Sequence, residues 1–343
     1  DMVPPEFHLF DGPVADSLHL PALSALRQDS VCFDNAFAVS PLCGPSRASL
    51  LTGRYPYITV NEERAHDGNE VALRPDDPIF PDYLKAVGYR CGHVGKSHVG
   101  TTAFMRVFGE GCSPWNRWAP PIYDDPDYHA YLRERGIDGF RYSGEIYGQR
   151  PDRRTPGNFY GGWVEQKDGS PFPMEGTYPH YLVERSIRTL DSLLSRDPHG
   201  APIYLHVDLF APHQPFFIPA GMEQREAALR QGFSLPSSYI EWCDSGYTYP
   251  GPEPRIYSLY RRNWGLYDPD SATDYAIANM LQMEVIDHAL QRFVNALRVH
   301  GIYDNCLFVF TADHGEMNLE QGLVDKGVYG HPKAARIPLM LKL

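Results

Sequence analysis

The chain has 343 residues, 43% hydrophobic and 22% charged, the balance of a globular protein long enough to bury an extensive core. Against 43 aspartates and glutamates stand 31 lysines and arginines, a net charge of -12. With no basic run to follow a phosphate backbone, this argues against nucleic acid as a partner. The six cysteines (Cys32, Cys43, Cys91, Cys112, Cys243, Cys306) form no C-x-x-C pair and no dense framework, so they point to neither a zinc site nor a disulfide scaffold.

Asp1 and Met2 are followed by Pro4-Pro5 and a polar stretch to Ser17. Leu20, Leu23 and Leu26 share one side of a short amphipathic helix expected over 19–27. Val31 to Ala38 follow, a stretch that the resemblance given below reads as a strand. Next comes Cys43 to Arg54, C-G-P-S-R-A-S-L-L-T-G-R. Small and turn-forming residues precede Ala48 to Leu51, a good helix start, which places Cys43 at or just before a helix N-terminus. Free backbone N–H groups and the helix dipole favour an anion there, and Arg47 adds a fixed planar charge. The stretch suits a tetrahedral oxyanion.

A helix from Pro81 to Val87, stopped by Gly88, leads into a strand from Tyr89 to Val94 and then Gly95-Lys96-Ser97-His98-Val99-Gly100. A cation and an imidazole two residues apart at a strand's end could both face one pocket. Residues 104–178 are rich in Pro, Gly, Tyr and Trp, with Trp115, Trp118, Tyr123, Tyr128, Tyr160 and Trp163 prominent. Periodicity is poor apart from a short helix near Tyr128 to Arg135. The segment therefore reads as a loop-rich insertion laid over the core and shaping a substrate pocket, most of its aromatics packing the loops down.

Val183, Ile187, Leu190 and Leu194 mark a helix from Tyr181 to Arg196. A strand from Ile203 to Leu209 follows, then Ala211-Pro212-His213-Gln214-Pro215, where prolines stiffen the chain around a histidine. Residues 217–267 carry no motif. The longest helix is expected from Ser271 to His300, with Ile277, Leu281, Val285, Ala289, Phe293 and Ala296 on its apolar stripe. An apolar strand from Cys306 to Thr311 ends in Ala312-Asp313-His314-Gly315-Glu316, a carboxylate beside an imidazole that could bind a divalent cation. Lys326 and the strand entry Arg336-Ile337-Pro338-Leu339 complete the chain. Helices alternating with apolar strands predict an α/β fold, a largely parallel central sheet with helices on both faces.

Cys43, Pro45, Ser46, Arg47, Leu51, Thr52, Gly53 and Arg54 match C-x-P-S-R-x-x-x-L-T-G-R without a gap. The chain resembles the type I sulfatases, of the alkaline-phosphatase-like superfamily, over nearly its whole length. The resemblance implies a single catalytic domain over 1–343, with the first strand and a smaller C-terminal subdomain missing. It also implies a formylglycine made from Cys43 by a maturation enzyme, and one divalent metal, calcium first with magnesium or manganese as alternatives. The metal ligands it implies are Asp1, Cys43, Asp313 and His314; the catalytic set is Cys43, Arg47, Lys96, His98, His213 and Lys326. His314 stands where many relatives have Asn, a softer donor that also suits manganese or zinc.

The activity implied is hydrolysis of a small-molecule or carbohydrate sulfate ester. Two other readings stand beside it: a phosphonate monoester or phosphodiester hydrolase, and a catalytically silent sulfatase-like binding protein. Retention of the charged set weighs against the last. No membrane-spanning run or signal peptide is visible, and the compartment stays open between cytoplasm and periplasm or secretion.

Overall fold

The computed structural model of the chain describes residues 1–8, 13–59, 73, 74, 76–109, 115, 119–196, 200–249, 251–327 and 330–343. Cys112 and Trp118 lie outside the described residues.

At the heart of the fold the strands Arg90–Gly95 and Ile203–Asp208 pair in parallel, His93 opposite His206 and Gly95 opposite Asp208. Each follows a helix, Phe80–Ala86 and Tyr178–Ser195 respectively, as parallel pairing requires of its connections. The approach at the strand ends is close. A Cβ on Gly95 would sit 2.0 Å from the carbonyl oxygen of Asp208, and the backbone there has φ +111°, so glycine alone fits.

Further sheets extend the α/β architecture. Ser30–Cys32, Leu339–Lys342 and Phe308–Thr311 pair antiparallel in that order. The single strand expected over 31–38 is split, because Asp34 and Asn35 form a turn before Ala36–Phe37, which pairs with Arg336–Ile337. Among the described strands, parallel pairing is found between Arg90–Gly95 and Ile203–Asp208 and between Pro156–Gln166 and Phe216–Pro219; the other strand-to-strand pairs are antiparallel.

Residues 104–178 hold more regular structure than loops. The helix Pro126–Glu134 falls where the sequence places it, its N-terminus capped by Asp125, whose side chain accepts from the N–H groups of Asp127 and Tyr128. Behind it runs an antiparallel ribbon, Phe140–Gln149 against Pro156–Gln166. Of the prominent aromatics, Tyr128 and Tyr160 are fully buried and Tyr123 is exposed. The Tyr128 hydroxyl donates to the carbonyl of Gly176, so it packs the insertion onto the domain.

The 31-residue helix Pro269–Val299 forms the axis of the core. Tyr275 to Asp287 are buried on every side, the mark of a helix enclosed by protein. Ile277, Leu281, Val285 and Ala289 of the expected stripe are buried, but Phe293 and Ala296 are half-buried. Leu290, Val294 and Leu297 take the inner face there instead. Tyr178–Ser195 likewise buries Val183 and Leu190, with Tyr181, Leu182, Ser186 and Leu193 beside them. Among the described residues no helix is long and apolar enough to cross a membrane.

Candidate active site

Cys43 is the first residue of the helix Cys43–Thr52, which ends at Gly53 in the left-handed conformation. No side chain caps this N-terminus, which leaves its N–H groups and dipole directed at whatever lies before it. The Cys43 side chain is fully buried. Around its sulfur the chain gathers residues from five separate segments.

Four potential ligands converge: one atom each from Asp1, Cys43, Asp313 and His314 lie within 4.8 Å of one another. Cys43 Sγ is 3.1 Å from Nε2 of His314 and 3.8 Å from Oδ1 of Asp1. The same Nε2 is 3.3 Å from Asp1 and 3.8 Å from Asp313. His314 Nδ1 donates to the carbonyl of Gly315, 2.9 Å away, which fixes the tautomer and turns the lone pair of Nε2 into the cluster. Two carboxylates and an imidazole lone pair, all buried, fit a divalent cation.

Arg47, one helical turn after Cys43, ties this cluster to the strand ends. Its Nε donates to Asp313 at 2.8 Å, and Nη1 donates to the carbonyl of Lys96 at 2.8 Å and to Asp208 at 3.0 Å. Nη2 is 3.5 Å from Asp1. Burial disfavours a charged Asp313, yet the guanidinium holds its carboxyl far below the usual range. Arg47 thus orders the carboxylates of Asp1 and Asp313 as well as supplying charge.

The Gly95–Gly100 loop sends Lys96 and His98 to the same place. Lys96 is fully buried, with Nζ 2.5 Å from Asp1, and burial pushes its pKa down to about 8. His98, at φ +53°, faces Cys43, and burial lowers its pKa. The loop is anchored by Ser97, whose N–H donates to the Trp115 carbonyl at 3.0 Å.

His213 enters from beyond the strand Ile203–Asp208, with its ring stacked on Phe210. Its Nδ1 donates to the carbonyl of Gln214, and its Nε2 accepts from Lys326. Burial, then the Lys326 charge, pushes the imidazole down to about 3, so it is neutral in this state. The Cys43 thiol feels the whole constellation. Burial opposes its ionisation, but the charges of Lys326 and Lys96 hold it well below its ordinary value.

Every residue singled out from the sequence as catalytic or metal-binding is therefore drawn into one buried site. Sequence reasoning missed Asp208, which holds Arg47 at the strand ends. Asp208 accepts from Arg47 through Oδ1, while its Oδ2 lies 2.9 Å from His93 and 3.2 Å from His206. A signal was available for it, since it is the last residue of the apolar strand that leads to His213. A cavity of about 280 Å³ opens beside the site, lined by His93, Trp115, Tyr178, Tyr181, Asp124 and Arg185 among others.

The fold is α/β, its strand ends converging on a buried cluster of a thiol, two carboxylates and an imidazole. In keeping with it, the solved phosphonate monoester hydrolase of Agrobacterium radiobacter superposes with a TM-score of 0.66 at 18% identity, over 100% of this chain and 66% of that one. The sequence model of the Sulfatase family matches residues 4–342, and the chain belongs to that family. Among curated proteins it is 24% identical over 324 residues to the uncharacterized sulfatase YidJ of Escherichia coli (strain K12), covering 93% of this chain and 57% of that protein. It is 25% identical over 343 residues to the choline-sulfatase of Rhizobium meliloti (strain 1021), covering 96% and 59%. The chain thus spans less than two thirds of the length of these relatives.

Proposed function

We propose that the protein hydrolyses a sulfate monoester with Cys43, oxidised to formylglycine by a maturation enzyme, as the nucleophilic residue. The observation that carries this reading is the convergence of Cys43, Asp1, Asp313 and His314 within 4.8 Å, faced by Lys96, His98, His213 and Lys326. That combination serves attack on a tetrahedral anion: ligands for a cation on one side, positive charge and proton carriers on the other. The sulfatase names of the curated relatives support the same class of ester.

Asp1, Asp313, His314 and the modified residue 43 would hold a divalent metal, calcium first with magnesium or manganese as alternatives, which supplies Lewis-acid polarisation of a sulfate oxygen. Lys96 and Lys326 balance the charge of the bound sulfate, and Arg47 keeps Asp1 and Asp313 in place. A hydroxyl of the hydrated aldehyde at residue 43, having lost its proton to water, bonds as the alkoxide to sulfur while the sulfur–oxygen bond to the alcohol breaks. Lys326 delivers a proton to the departing oxygen, and His213, neutral with its Nε2 accepting from Lys326, holds that ammonium in place. His98 then takes the proton of the second hydroxyl, the carbon–oxygen bond to sulfate breaks, and the aldehyde re-forms with release of sulfate.

A phosphonate monoester or phosphodiester activity is the second reading, favoured by His314 in the ligand set; Lys96 and His98 in the G-K-x-H loop favour sulfate. The deciding experiment pairs fragment-ion mass spectrometry of residue 43, in protein from a host with a competent maturation system, with turnover of 4-nitrophenyl sulfate and a phenylphosphonate monoester. Formylglycine at 43 and preferred sulfate turnover, abolished by Cys43→Ala, is the expected result. An intact thiol would remove the mechanism and promote a silent binding protein, and preferred phosphonate turnover would overturn the choice of ester.

A further inference from the structure

The segment between Asp313-His314 and Lys326 holds unusual backbone: Asn318, Leu319, Gln321 and Asp325 all have positive φ, 43°, 72°, 55° and 67°. Left-handed backbone costs an L-residue on the order of 1 kcal/mol, least for Asn and Asp. It persists where surrounding contacts over-determine it, which happens most at functional sites. At Asp325 those contacts are visible. Its N–H donates to Oε1 of Glu316 at 2.7 Å, and its Oδ2 accepts from the Tyr260 hydroxyl at 2.7 Å. Its Oδ1 lies 3.0 Å from Nζ of Lys326.

Neighbouring side chains of an extended chain point to opposite faces. The left-handed turn at Asp325 brings the carboxylate and ammonium of consecutive residues together instead. Both are nearly out of reach of solvent, Asp325 at 6% exposure and Lys326 at 4%, so the pair is not a solvated surface contact of negligible strength. Lys326 donates onward to Nε2 of His213. A continuous chain of contacts therefore runs from Tyr260, on the helix Arg255–Trp264, through Asp325 and Lys326 to the histidine that faces Cys43.

We propose that Asp325, braced by Tyr260, is a positioning residue that fixes the Lys326 ammonium on the His213 side of the site, where the ester's leaving oxygen departs. The part played by that oxygen rests on the hydrolase reading above; the placement of the ammonium does not.

The test uses Asp325→Asn and Asp325→Gly, both compatible with a left-handed backbone, with unfolding curves to confirm that they fold. The first measurement needs no turnover: the rate at which limiting acetic anhydride acetylates Lys326 at fixed pH, read by peptide mass spectrometry against exposed Lys167. Release from Asp325 is expected to raise that rate roughly tenfold, the equivalent of one unit of proton affinity. Equal rates in parent and variants would overturn the proposal. The second is the dependence of kcat/KM on the leaving group. In the variants, esters of unactivated alcohols are expected to slow by about 100-fold, the scale of a lost general acid, while 4-nitrophenyl sulfate slows much less. Uniform slowing across the series would mean a structural role only and would also overturn the proposal. Absence of ester turnover in the parent would defeat the hydrolase reading, with the acetylation rates still deciding where Lys326 is held.

Discussion

Sγ of Cys43 lies 3.1 Å from Nε2 of His314, 271 residues away in the chain. The backbone carbonyl of Gly315 holds the opposite ring nitrogen, so the imidazole can neither turn nor change tautomer without losing a buried hydrogen bond. If this lone pair is a metal ligand, His314→Gln should bind divalent cation at least about tenfold more weakly, since even outer-sphere partners of ligands carry that much. Elemental analysis after dialysis, alongside turnover before and after chelation, checks it. Unchanged metal content in the variant would assign His314 to the thiol alone.

The contact of Gly95 with Asp208 predicts a second outcome. A methyl group on residue 95 meets the Asp208 carbonyl oxygen at 2.0 Å in a backbone of φ +111°. Parting the strands and straining the residue together should cost about 3 kcal/mol or more in Gly95→Ala. Turnover should fall as well, because Asp208 is one of the carboxylates that orient Arg47. A urea unfolding midpoint equal to that of the parent would show that the strands do not approach so closely in solution.

How much of this was legible beforehand depended on whether the cause was local. Cys43 could be placed at a helix start because caps and turn residues act over a few positions, and Asp313-His314 because an apolar strand announces its own end. The ribbon Phe140–Gln149 and Pro156–Gln166 escaped because its alternation is broken by register shifts between Tyr142 and Gly144 and between Glu145 and Tyr147, and by glycines. Asp325 escaped for a different reason. Its left-handed backbone is imposed by Glu316, Tyr260 and Lys326, and nothing within a few residues of it in sequence signals those partners together.

The long core helix offers a control outside the site. Its N-cap, Asp268, accepts from the N–H of Ser271 at 3.0 Å, while Pro269 occupies the first helical position. Asp268→Ala should lose about 1 kcal/mol, the usual value of such a cap, with kcat/KM unchanged. A comparable loss of activity would mean that the helix end communicates with the site through Gln149, whose amide donates to the Ser271 hydroxyl.

His180 sets a pH dependence. It is fully buried, with Nδ1 2.7 Å from the Thr177 hydroxyl and Nε2 2.7 Å from Nδ1 of His288. Burial first, then the neighbouring His288, Arg292 and Arg135, lower its pKa to about 3, against about 6.5 in an unfolded chain. Below that unfolded value the denatured state binds the extra proton and the folded state does not. The contribution of His180 is thus fully present above about pH 6.5 and lost progressively as pH falls toward 3, by about 1.4 kcal/mol per pH unit within the window. His180→Gln removes the titrating group, so stability between pH 6.5 and 5, where few carboxylates titrate, should fall less steeply than in the parent by close to one proton. Denaturant titrations at several pH values measure both slopes; parallel curves would mean that His180 is protonated in the folded protein and that its two hydrogen bonds are arranged differently.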